Sequence, residues 1–477
     1  MTEAAAAKIP ARSMGRKLLL VCLLALLMTI PALFVFALLG DRTHRAQQVS
    51  AEIGQLVGGP QTFLGPVLAI PYTAPGTAAA APPPPPGVTT TTAVTATPVP
   101  TTISGVHIVF PDTARATVAT TSEVRRRSLF EVPVYDANLT LDGRFALPAV
   151  IDNLPRGAVL DWERAEFLVG ASDPRGAKSE IVLTAPGRRV QLEPASSLTE
   201  QSLQTDPNSR RAPPVTGMVR FFGTSAAGLA RPQTTFDVST ALRFTGAERI
   251  AVLPFGRTSS IRVSGDWPDP SFDGGFLPTE RSVSEDGFRA AWSVPFIARG
   301  VADSGGAELI SRLGQASLGV SFVEPANPYQ SVSRSLKYAL LFIGLVFLTF
   351  FVFEATTGRR VHPAQYVLIG LAQIIFYLLL LAIAEHLGFD IGFLLAAAAT
   401  VALISAYAQW TFESGRQGVR ALVVFALLYG GIYVLMRLED YALLVGAIAS
   451  FAAIALVMFF TRRIDWYGSN SETGNPA

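Results

Sequence analysis

From Leu18 to Gly40 the chain runs without a single charged residue. At about 1.5 Å of rise per residue, a helix of that length covers the ~30 Å hydrocarbon core of a bilayer. The run exceeds the apolar core of a cleavable signal peptide and lacks a small-x-small cleavage site, so it is expected to remain in the membrane. Lys8, Arg12, Arg16 and Lys17 precede it, which by the positive-inside bias keeps the N-terminus in the cytoplasm. Pro31, in mid-run, predicts a kink.

Comparable runs return only near the other end, at roughly 338–355, 366–384, 391–408, 421–436 and 441–460. About six transmembrane helices are therefore expected, one before and five after a long polar interval. A composition that is 50% hydrophobic and 16% charged, with mean hydropathy +0.38, is too apolar for an ordinary soluble protein. The net charge of +2 gives no reason to expect nucleic acid as a partner.

Charge along the connections sets the orientation. Arg359 with Arg360, Arg416 with Arg420, and Arg462 with Arg463 alternate with connections that carry Glu385, Asp390, Glu439 and Asp440 and a single Arg437. This pattern puts both termini in the cytoplasm and residues 41–337 on the far side. Arg42, Arg45, Arg334 and Lys337 flank that exported segment and suit anionic lipid headgroups. The expected layout is a cytoplasmic N-terminus (1–17), a first transmembrane helix (18–40), an exported domain (41–337), a five-helix bundle (338–460) and a cytoplasmic tail (461–477).

The exported segment reads as strands. In 135–142, Tyr135, Ala137, Leu139 and Leu141 alternate with polar residues, and Asp142-Gly143 then offers a turn before Phe145. Phe236, Val238, Thr240, Leu242 and Phe244 repeat the period, as do Ala165, Phe167, Val169 and Ala171. A short helix is expected around 41–57; otherwise the pattern predicts an antiparallel, β-rich, sandwich-like domain inserted between the first and second membrane helices. Residues 73–102 are rich in Pro, Thr and Ala, with consecutive prolines at 82–86, and read as a solvated loop insertion. The lone cysteine, Cys22, allows no internal disulfide and reads as an inert lipid-facing thiol.

Chemistry is sparse. His44, His107, His362 and His386 have no spacing that puts two ligands on one helix face, so neither a metal nor another cofactor is expected. P-loop and nucleophile-elbow motifs are absent from the sequence. Glu354 ends its span where a carboxylate can reach the interface, and His362 before Pro363 suits a turn that opens the next helix. Glu385-His386 places an acid beside an imidazole, a possible proton relay, but adjacent helical residues diverge by about 100°, and a polar cap is the simpler reading. Trp267, Phe272 and Phe276 among turn formers read as a rigid aromatic loop. Asp173 and Asp269 are candidate acids or bases for an enzyme on cell-wall material, yet nothing pairs them, and turn formation explains them as well.

The segments 59–72, 125–145, 267–278, 327–354, 362–386 and 439–467 together resemble the inner membrane protein CreD family, also known for colicin tolerance, over nearly the whole chain apart from 73–102. The resemblance implies a Gram-negative inner-membrane protein with a periplasmic domain and a role in envelope stress, including tolerance of colicins and β-lactams. It implies no reaction and no catalytic residues. The expected function is therefore non-enzymatic support of the envelope, with membrane lipids and a periplasmic or membrane protein, glycan or lipid as partners. The alternative is a transporter or lipid-handling protein that uses Glu354, Glu385 or His386.

Overall fold

Alternation of apolar and polar residues at the strand period should produce a sheet with one buried face, and it does so here twice. The computed structural model describes residues 14–77, 100–127, 130–195, 219–322, 328–357, 361–437 and 442–462. These form two compact units, Gln48–Pro325 and a helical unit of Met1–Gln47 with Ala326–Ala477.

The β unit holds one ten-stranded and one eight-stranded sheet. The central strands of the eight-stranded sheet, Thr113–Arg127, Phe130–Ala146 and Thr235–Ala247, alternate exposed and buried positions. Tyr135, Leu139, Leu141, Phe236, Thr240 and Phe244 all lie on its buried face. Aromatic contacts join the two sheets: Phe167 of the ten-stranded sheet lies 5.8 Å from both Phe145 and Phe236, and Phe63 lies 5.2 Å from Phe244. The sheets thus share one apolar core, the sandwich that the alternation implied.

Four details depart from the sequence-based expectation. Two strand pairings are parallel, Gln61 to Phe63 beside Ile250 to Val252 and Thr113 to Thr120 beside Thr258 to Gly265. Parallel neighbours require long crossovers, and pairing across such distances leaves no local mark in the sequence. Asp142-Gly143 is not a turn: the strand Phe130–Ala146 runs straight through it. Pro111 packs on the glycine, and an added Cβ would lie 3.2 Å from the proline ring, tighter than an ordinary contact. Residues 73–77 and 100–102, assigned to the loop insertion, extend two strands paired from Leu68↔Val109 to Thr77↔Pro100. The rest of the insertion, 78–99, lies outside the described residues. Within the expected aromatic loop, Pro270–Gly274 is a strand, with Phe272 packed 6.1 Å from both Phe288 and Trp292.

The helical unit begins with α1 (Met14–Leu27) and the first part of α2 (Thr29–Val57), whose residues from Gln48 onward belong to the β unit. Their break at Met28 falls just before Pro31, whose ring clashes with the carbonyl four residues earlier, at Leu27. Beside the break the Thr29 hydroxyl donates to the Leu26 carbonyl, at 2.6 Å. The helix expected separately around 41–57 is the continuation of α2. Val49, Ile53 and Val57 recur every four residues and pack on Val132, Val134 and Ala247, an apolar stripe that carries the helix past the charged stretch. Gly58 and Gly59, at φ +96° and +58°, end it with a bond from the Gly59 amide to the Gly54 carbonyl.

The remaining helices are α3 (Pro328–Lys337), α4 (Ala339–Thr357), α5 (Pro363–Leu387), α6 (Phe389–Phe412), α7 (Gly415–Arg437) and α8 (Ala442–Thr461). Among the described residues, four helices are long and apolar enough to cross a membrane, or five if α3 and α4, bent by 52°, count as one. The sixth expected span, 441–460, overlaps α8, which is not among these helices. Helices α5 and α6 are antiparallel and close: a Cβ on Gly392 would stand 2.9 Å from the Ala384 nitrogen, the small-residue contact that lets membrane helices approach.

Candidate functional site

One end of the helical unit holds a buried ion pair. Glu354, at the last turn of α4, is 2% exposed, so it does not reach outward as its position in the sequence suggested. Its Oε1 accepts from Lys17 Nζ and, at 2.9 Å, from the Val361 amide. Oε2 accepts from the Tyr366 hydroxyl at 3.0 Å, and Lys17 also donates to the Val361 carbonyl at 2.8 Å. The carboxylate is drawn inward because a cation, an amide and a phenol together replace its water.

His362 and Gln365 form the capping box of α5. The Ala364 amide donates to His362 Nδ1 at 3.2 Å, and the His362 amide donates to Gln365 Oε1 at 2.8 Å, with Pro363 opening the helix. Replacing His362 by alanine should cost about 1 kcal/mol of stability, and asparagine should keep most of it, as thermal unfolding of the full-length protein will register. At the far end of α5, Glu385 accepts from the Tyr329 hydroxyl at 3.2 Å and lies 3.8 Å from Arg42, whereas His386 is exposed. The two neighbours therefore do not share a site.

In the β unit a candidate surface is the outward face of the eight-stranded sheet. Register places Ser260, Arg115, Asp142, Ser239 and Thr184 side by side across neighbouring strands. The row on one side is Thr258, Thr113, Arg144 and Asp237. Ser239 donates to Asp142 at 2.6 Å. A solvated sheet face is polar in any protein; what exceeds that here is shape. These rows floor a hollow of about 720 Å³. A second hollow of about 550 Å³, lined by Ser264, Asp266, Ser282, Asp286 and Arg289, lies farther along the same face. Short hydroxyls, guanidinium groups and carboxylates in register offer donors and acceptors to an extended polar chain.

The family model of Inner membrane protein CreD matches residues 13–467. The chain belongs to the CreD family. Inner membrane protein CreD of Escherichia coli (strain K12) is 30% identical over 451 residues, covering 93% of this chain and 91% of that relative.

In this CreD-family chain the remaining candidates have local roles. Asp173 caps the turn Pro174–Gly176 and pairs with Arg175 at 2.5 Å; the hydrogen bond from Arg175 holds its carboxyl below the usual range. Asp269 is exposed on the turn before the strand Pro270–Gly274. Trp267 is buried against Phe322. Sequence reasoning missed Lys17 as the partner of Glu354, because 337 residues separate them. A lysine directly before one apolar run and a glutamate at the end of another, both on the expected cytoplasmic side, was the available signal. Arg359 and Arg360 lie outside the described residues.

Proposed function

We propose that the chain is a multi-pass inner-membrane protein that supports the cell envelope by binding an extended polar partner, a peptide or a glycan, on the outward face of its eight-stranded sheet. The observation that carries this is the pair of hollows on that face, floored by hydrogen-bonding side chains in cross-strand register. In this reading six helices cross the membrane, both termini are cytoplasmic, and residues 41–337 lie on the periplasmic side, as the alternation of basic connections favours. No catalysis is required.

The test joins two measurements. A photo-crosslinking residue placed at Thr117, at the middle of the face, should capture a partner in living cells. Reversing charge with Arg115→Glu and Arg144→Glu should abolish that capture and reproduce the detergent or β-lactam sensitivity of a deletion strain. A face whose reversal leaves both capture and sensitivity unchanged sinks the proposal. A periplasmic reporter fused near residue 200 reads the orientation, and cytosolic activity there overturns it.

A second reading, passage of a solute or handling of a lipid by the helical unit, is favoured by polar groups at the bundle centre. Gln373 and Tyr377 on α5 and Tyr429 on α7 are at most 2% exposed, and among the described residues the Gln373 amide and the Tyr377 hydroxyl have no hydrogen-bond partner. Both tyrosines pack on Phe376, at 5.0 and 4.9 Å. Unpaired polar groups inside a membrane bundle are costly and mark function. Glu354→Gln, Glu385→Gln and His386→Asn, each at wild-type abundance, should abolish complementation on this reading and be mild on the first.

A further inference from the structure

The bend of 52° between α3 and α4 leaves a groove of about 150 Å³ against α2. Its walls include Ala32, Leu33, Phe36, Leu340 and Ile343, and Lys337 stands at the bend itself. Leu33, Phe36 and Leu340 are 66%, 50% and 44% exposed, so the groove opens away from the bundle, toward where lipid would be. Lys337 is also exposed, and among the described residues no carboxylate pairs with it.

The depth of this groove makes that cation informative. Arg42 lies 3.8 Å from Glu385, which also accepts from the Tyr329 hydroxyl, so polar groups gather at this level of the unit. Phe36 lies six residues before Arg42 in the same helix, about 9 Å further into the apolar zone at ~1.5 Å per residue. An ammonium at the edge of that zone extends along its flexible stem to the interface, where an anion that meets it is attracted. The anion that a membrane supplies at this level is a lipid phosphate. Thr29 to Phe36 then offers roughly 10 Å of apolar wall, one segment of an acyl chain.

We propose that this groove binds one anionic phospholipid, with its phosphate on Lys337 and an acyl chain laid along Ala32, Leu33 and Phe36. A net negative headgroup is specified because a zwitterionic lipid brings its own cation and gains less from an unpaired lysine. The lysine supplies the charge selection and the groove supplies the chain contact, so each can be removed separately.

The test uses the full-length protein in nanodiscs of phosphatidylcholine with a minor fraction of phosphatidylglycerol, followed by native mass spectrometry. Phosphatidylglycerol should be retained over phosphatidylcholine. Lys337→Leu should lower its retention at least about fivefold, the equivalent of ~1 kcal/mol for one lysine, whereas Lys337→Arg should preserve it. Ala32→Trp, which fills the groove and leaves the charge, should lower retention as well. Equal retention of both lipids by the wild type, or unchanged phosphatidylglycerol retention in Lys337→Leu, overturns the site. If Ala32→Trp alone is silent, the lysine meets headgroups without a bound chain, and the groove assignment fails.

Discussion

Glu354→Leu should destabilise the helical unit by roughly 3–5 kcal/mol, and adding Lys17→Met in the same chain should return most of that loss. The asymmetry follows from where the charges sit. The Glu354 side chain is 3% exposed and that of Lys17 is 19% exposed. With the carboxylate gone, the ammonium keeps only the Val361 carbonyl, while the Val361 amide and the Tyr366 hydroxyl lose their acceptor. Removing both charges replaces an uncompensated ion with apolar packing, which often costs little. A double-mutant cycle on the full-length protein in detergent, read by thermal unfolding, yields the coupling energy directly. If Glu354→Leu is mild alone, Lys17 escapes to water through its exposed part, and the pair is not a structural clamp.

This pair also shows where sequence reading stops. The apolar runs locate the helices, though not all of their ends, because lipid-scale length and absence of charge are local properties, whereas α2 runs on to Val57 through charged residues and α7 begins at Gly415, before its apolar run. Strand alternation likewise placed Tyr135, Leu139 and Leu141 on one face, since a side-chain period of two is written into every short segment. Partnership between distant residues has no such record. Lys17 beside Glu354, and Thr113 to Thr120 running parallel to Thr258 to Gly265, are choices of topology. The same holds for the rows on the outward sheet face, which exist only once five strands are in register. Asp142-Gly143 misleads for a related reason: a glycine inside a strand with a close neighbour, Pro111, looks identical in sequence to a glycine required by a turn.

Acid should weaken the β unit through His107. This residue lies on the strand Pro100–Val109, opposite Ile70, and is 1% exposed, with no partner for Nε2 among the described residues. Burial pushes its imidazole down from 6.5 to about 4. The neutral ring is thus favoured in the folded chain, and above about pH 6.5 neither state binds the proton, so stability there is unaffected. As pH falls below 6.5 the unfolded chain takes up the proton first, and stability is lost progressively until the folded ring also titrates near 4. The shift corresponds to a loss of ~3 kcal/mol across that window. Other groups act at lower pH. Burial alone would raise the Asp273 carboxyl, but hydrogen bonds from Arg249 and Ser321 and the charge of Arg249 bring it below its ordinary 3.8. Its contribution is present above that value and is lost only as pH falls further. His107→Leu should therefore flatten the stability profile between pH 6.5 and 4 while leaving the steeper loss below 4 in place. Chemical denaturation of the full-length protein at stepped pH checks it, and a wild-type profile already flat across that window would mean that the ring finds a proton acceptor when charged.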